Sequence, residues 1–160
     1  MIAAHADWSL HASKRWVAVA QRDGGHWKLQ APEPVGEIGT FLSRLRARAP
    51  GGPVALGLDM PLGVPRAYAA SLGVADFPAF LRSLADRPAF FDVCATLEEL
   101  GLERPFYPAR GVRGMRRAAH AAALGLADVV DLSRLCDRRT PERPAGAPLF
   151  WTLGANQTGK

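Results

Sequence analysis

The segment Val54–Leu58 (VALGL) constrains the fold of this chain more than any other stretch. Five residues without a polar side chain suit a strand covered on both faces, the habit of strands in parallel pairs. Residues 37–49 precede it. There Ile38, Phe41, Leu42 and Leu45 recur at helical spacing while Arg44, Arg46 and Arg48 fall on other faces, which predicts an amphipathic helix. Pro50-Gly51-Gly52-Pro53 separates the two. A helix, a tight break and a buried strand describe a crossover that lays a parallel strand beside an earlier one.

The earlier strands are legible too. Residues 2–8 form a short apolar run that ends in Asp7, Trp8 and Ser9. Residues 15–21 (RWVAVAQ) alternate as a strand does, Asp23-Gly24-Gly25 reads as a hairpin turn, and residues 26–31 (HWKLQA) return until Pro32 and Pro34 stop them. Three antiparallel strands, a helix and a parallel strand make an α/β opening with a mixed sheet. Beyond Asp59 the pattern predicts a tight loop at 60–65, a helix at 77–85, a strand at 90–93, a helical turn at 97–100 and a loop at 107–114. A helix at 115–126 follows, then a second at 129–138 with Leu132 and Leu135 on one side. Pro141, Pro144 and Pro148 mark a linker before the apolar stretch 149–153. No internal repeat is present.

Composition excludes several classes. With 160 residues, 48% of them apolar and 22% charged, the chain can bury a core. No apolar run approaches the roughly 20 residues of a membrane-spanning helix, and the N-terminus has no signal-peptide pattern, so cytoplasmic residence is the expectation. Cys94 and Cys136 form no CxxC pair and are expected to be buried thiols. The net charge of +5, carried by 17 arginines and 3 lysines, favours polyanionic partners, nucleic acid first among them.

The chemistry centres on two carboxylates at strand ends. Asp7 closes the first predicted strand and Asp59 the fourth, so strands that are neighbours would bring both carboxylates together. Hard divalent cations take oxygen ligands, and Mg²⁺ or Mn²⁺ needs only one or two carboxylates when water and substrate phosphate complete the shell. Such ions activate water against a phosphodiester. The plainer alternative is that Asp7 caps a turn and Asp59 caps the Met60-Pro61 loop through backbone hydrogen bonds. Arg110, Arg113, Arg116 and Arg117, spaced by Gly111 and Gly114, form the densest basic segment; they suit a phosphate backbone or a solvated loop, and Phe106 or Tyr107 could stack on a base. Residues 154–160 (GANQTGK) satisfy GxxxxGK but lack the following Ser or Thr and helix. His5, His11, His26 and His120 show no ligand spacing, no Ser sits in a GxSxG elbow, and Trp8, Trp16, Trp27 and Trp151 read as core or sheet-face residues.

Residues 6–20 (ADWSLHASKRWVAVA) and 56–66 (LGLDMPLGVPR) together resemble the domain of unknown function 429 family. Asp59, Pro61, Leu62, Gly63 and Pro65 match its apolar-Asp-x-Pro-Leu-Gly-x-Pro segment. Arg134 and Asp137 resemble its Arg-x-x-Asp element, and residues 149–160 its Phe-Trp stretch. The first Asp of that family usually follows Gly or Ile, whereas His5 and Ala6 stand here. The resemblance implies a nuclease of the ribonuclease H-like superfamily, with residues 1–160 as one domain that stops short of the family's final acidic segment. It implies Asp7 and Asp59 as metal ligands and Mg²⁺ or Mn²⁺ as cofactor. Asp137 is the internal candidate for a third catalytic carboxylate, with a helix-surface pair to Arg134 at i,i+3 as the alternative. Beside that site, Arg110, Arg113, Arg116 and Arg117, with Arg134, are the candidate substrate contacts. A non-catalytic nucleic-acid- or protein-binding module on the same fold, or a nucleotide-dependent phosphotransferase, stays open beside it.

Overall fold

The computed structural model describes residues 1–9 and 11–153. The chain divides into two compact units, Met1–Met60 and a second that begins at Pro61.

The first unit is an α/β arrangement around one mixed sheet. Strand β1 (Ile2–Asp7) lies in the middle, antiparallel to β2 (Trp16–Asp23) and parallel to β5 (Val54–Leu58). Beyond β2 lies β3 (His26–Leu29), giving the order β3-β2-β1-β5. The hairpin between β2 and β3 turns at Gly24 and Gly25, whose φ of +53° and +90° are open to glycine at little cost. Pro34 does not end pairing outright: a two-residue strand β4 (Glu33–Pro34) adds to β2 at the sheet margin, where a missing N–H costs least.

Helix α1 (Ile38–Ala47) supplies the crossover. Glu37 caps it, its carboxylate accepting from the N–H groups of Gly39 and Thr40 at 2.7 Å each. Only one stripe of the helix is buried. Phe41 and Leu45 enter the core with Ile2, Ala4, Ala6, Val17, Val19 and Val35, whereas Ile38 and Leu42 are 50% and 42% exposed. Four apolar residues at helical spacing thus cover more arc than the sheet offers. Two of the arginines on the other faces, Arg44 and Arg48, have structural partners. Arg44 donates to the carbonyls of Val35 and Glu37, and Arg48 pairs with Glu33 and reaches Gln30.

The second unit is built from short helices and turns around aromatic rings. Helices α2 (Arg66–Ser71), α3 (Phe77–Ser83) and α4 (Arg117–Ala123) are each two turns or less. Their core joins Tyr68, Phe80, Phe90, Phe106, Leu132 and Phe150. Tyr68 meets Phe150 edge-on at 4.6 Å, and Phe106 meets Phe150 at 5.3 Å, the geometry that ring quadrupoles favour. Helix α2 has no counterpart in the sequence reading.

Several expectations are corrected in this unit. Instead of a strand at 90–93 there is a 3-10 turn, Pro88–Phe91, followed by one bridge from Val93 to Phe106, because Phe90 must point into the ring cluster. The expected helix at 129–138 is two 3-10 turns, Val129–Leu132 and Leu135–Asp137; Leu132 is fully buried and Leu135 is 66% exposed, so they do not share a side. Cys94 is buried as expected, but Cys136 is exposed. Among the described residues, no helix is long and apolar enough to cross a membrane.

His120 on α4 is fully buried against Tyr107 and Trp151, with Nε2 2.9 Å from the Pro105 carbonyl oxygen and Nδ1 without a partner. Burial pushes its pKa below the usual histidine range, only partly opposed by the Pro105 hydrogen bond. A depressed folded pKa means that stability is fully present above the unfolded value and is lost as pH falls below it. Urea titrations should therefore lose stability between about pH 7.5 and about pH 5 in the wild type, and lose less in His120→Gln, whose amide can still donate to Pro105. Equal losses would show that His120 is not protonated more readily in the unfolded chain. In the same assay Leu45→Ala should cost about 2–5 kcal/mol and Leu42→Ala under about 1 kcal/mol, although the sequence places both on the apolar face.

Candidate functional site

The paired register of β1 and β5 places the candidate carboxylates. Ala6 is opposite Leu58, and the Asp59 N–H donates to the Ala6 carbonyl at 3.0 Å, so the next row beyond the paired residues sets Asp7 beside Asp59. Neighbouring strands lie about 4.8 Å apart, and residues in one row point to the same face. Ala6 and Leu58 turn toward α1; Asp7 and Asp59 therefore turn the other way, and both are exposed. Two oxygen-bearing side chains are thus held at the C-terminal ends of adjacent strands by a backbone ladder rather than by a loop.

Two more residues belong to this corner. Trp16 pairs with Asp7 across β2, and His5, two residues before Asp7, occupies the same face one step back along β1. Opposite His5 stands Gly57, where an added Cβ would come within 3.0 Å of the His5 Cδ2 atom. The imidazole leans over β5 because that position has no side chain. His5 could have been singled out from the period of two in a strand; the Trp16 register could not, since nothing in the sequence states where β2 begins to pair. His11 is exposed beside a short 3-10 turn, Ala12–Lys14, and takes no part in this face.

The donor set fits a hard cation with few protein ligands. Among the described residues there is no group of three or more His, Cys, Asp or Glu arranged to hold a metal. Two carboxylates suffice for Mg²⁺ or Mn²⁺ when water and phosphate oxygens fill the shell, and they would not make a tetrahedral zinc site.

The remaining predicted residues lie in the second unit. Asp137 is 9% exposed and is bound by Arg134 in a fork: Nε to Oδ2 at 2.7 Å and an Nη to Oδ1 at 2.9 Å. Both of its oxygens are thereby occupied, which makes Asp137 a partner for Arg134 first. Arg110, Arg113, Arg116 and Arg117 are exposed along an irregular segment that leads into α4. The Arg117 guanidinium lies 5.5 Å from the Trp151 ring centre, a cation–π contact that leaves its outer edge to solvent. Phe106 and Tyr107 are buried in the unit's interior and do not present rings to a base. The GxxxxGK stretch at 154–160 lies outside the described residues.

Comparison with protein-family models, curated proteins and solved structures found no match for this chain.

The Arg134–Asp137 fork generates a stability prediction. Removing either partner strands a mostly buried charge, so Asp137→Ala and Arg134→Ala should each cost about 2–3 kcal/mol, while the double variant should cost clearly less than their sum. Urea unfolding of the three variants measures this, and strictly additive losses would mean that the pair is not coupled.

Proposed function

We propose that this protein is a metal-dependent nuclease that hydrolyses phosphodiester bonds of nucleic acid on a ribonuclease H-like scaffold. The observation that carries the reading is the adjacency of Asp7 and Asp59 on one face at the ends of paired parallel strands. The sheet order β3-β2-β1-β5, with its helix crossover, agrees with the arrangement the family resemblance implies. The net charge of +5 favours a polyanionic substrate.

In this reading Asp7 and Asp59 hold the cation and so fix where the scissile phosphate can sit. A divalent ion held by Asp7 and Asp59 would supply an activated water and neutralise charge on the phosphate. Strand-end placement keeps the two carboxylates from swinging apart, so orientation is set before substrate arrives. The exposed arginines of residues 110–117 are proposed to contact phosphates of nucleic acid, which adds affinity without sequence preference. Asp137, held in the Arg134 fork, is proposed to fix that guanidinium rather than to bind the ion.

One observation favours a second reading. The net charge of +5 and the exposed arginines of residues 110–117 would equally serve a non-catalytic nucleic-acid-binding module on the same fold. That module needs no metal, and its affinity would fall steeply with salt.

Cleavage assays on labelled single- and double-stranded DNA and RNA, with Mg²⁺, Mn²⁺ or EDTA, separate the two. The nuclease reading expects cleavage with the metals alone, reduced to the EDTA background in Asp7→Asn and Asp59→Asn, each with folding stability within about 1 kcal/mol of wild type. Cleavage at wild-type rates by both variants removes the mechanism. Binding without cleavage under every condition leaves the non-catalytic module.

A further inference from the structure

The sheet face turned away from α1 has a composition of its own. A solvated face of an antiparallel sheet ordinarily alternates out to polar residues. Here the outward positions carry large flat groups over a low floor. Trp16, Trp27 and Leu29 are 45%, 49% and 73% exposed. All three face the same side, because Trp16 pairs with Asp7, Leu29 with Ala20, and Trp27 with Arg22. Between them the floor is made of alanines and Gly57, over which the His5 ring lies.

We propose that this face is a stacking platform for a single strand of nucleic acid. Bases would lie on Trp16 and Trp27, and phosphates would pass Arg22 and His5. Three observations select this occupant over an apolar protein surface. Arg22 stands in the same paired row as Trp27, so a cation flanks the indole where a phosphate would follow a stacked base. A floor of methyl groups and a glycine gives flat rings room and gives interdigitating side chains little to grip. The platform is also continuous with the carboxylate pair, since Trp16 sits directly across from Asp7. Six residues of β2 separate the Trp16 and Trp27 rows, about 20 Å, so one strand several nucleotides long would meet both rings. In a duplex the base faces are covered by their neighbours, which restricts the platform to unpaired bases.

The proposal deepens the nuclease reading and rests on it for the approach of the strand to Asp7 and Asp59, but stacking itself needs no metal. The experiment is fluorescence anisotropy with the full chain in EDTA, using labelled oligothymidylate and oligouridylate of about 12 nucleotides and a duplex of equal length. Saturable single-strand binding that quenches tryptophan fluorescence is expected. Trp16→Ala and Trp27→Ala should each weaken it about tenfold, while the corresponding Phe variants retain most of it. Arg22→Ala should weaken binding and flatten its salt dependence. Far-ultraviolet circular dichroism checks that the variants are folded. Unchanged affinity in both Trp→Ala variants, or a preference for the duplex, overturns the proposal. So does a wild-type dimer that Trp27→Ala converts to monomer, which would make a second copy the occupant. If metal-dependent cleavage persists undiminished in the Trp→Ala variants, the nuclease reading survives and the platform does not. If binding follows the tryptophans but no metal supports cleavage, the platform survives and the nuclease reading does not.

Discussion

The parallel pairing of β1 with β5 is the constraint on which the rest of the first unit depends. It sets Ala6 against Leu58, leaves Asp7 and Asp59 as the next row, and decides that both carboxylates face away from α1. A register slip of one residue would turn Asp59 into the core and Leu58 to solvent. The core therefore favours this register, which keeps Val54, Leu56 and Leu58 packed against it and leaves Asp59 outward. Here the stability of the sheet and the placement of the carboxylate pair draw on the same hydrogen-bond ladder.

Packing explains why this register holds. One helix covers one face, anchored by Phe41 and Leu45 and tied by Arg44 and Arg48 to the chain around β4. Partly exposed ion pairs of this kind contribute little individually, so the hydrophobic stripe carries most of the stabilisation and the arginines orient the helix. The opposite face is left to solvent over most of its area. That exposure lets a carboxylate pair, an imidazole and two indoles share one surface with small residues between them.

Much of the first unit was legible in the sequence because its signals are local. The run VALGL, the Gly24-Gly25 turn and the alternation at 16–20 each name an element without reference to the others, although β5 is covered on one face only and Ala55 is exposed. Even the adjacency of Asp7 and Asp59 follows once a helix crossover is admitted. What could not be read is pairing register, and with it the row that joins Trp16 to Asp7. In the second unit the local signals mislead. Apolar residues at 90–93 resemble a strand and those at 129–138 a helix, yet an aromatic cluster assembled from distant segments dictates 3-10 turns at both places. Arg134 and Asp137 were recognisable as a pair by spacing. Only the two-pronged geometry reveals that the carboxylate is already engaged.

Whether the two strand-end carboxylates share one cation is decided by anomalous diffraction from crystals soaked in Mn²⁺. The expected result is a peak between Asp7 and Asp59, about 2.1–2.2 Å from an oxygen of each. Full Mn²⁺ occupancy elsewhere on the protein, with neither aspartate in contact with a metal, would contradict it.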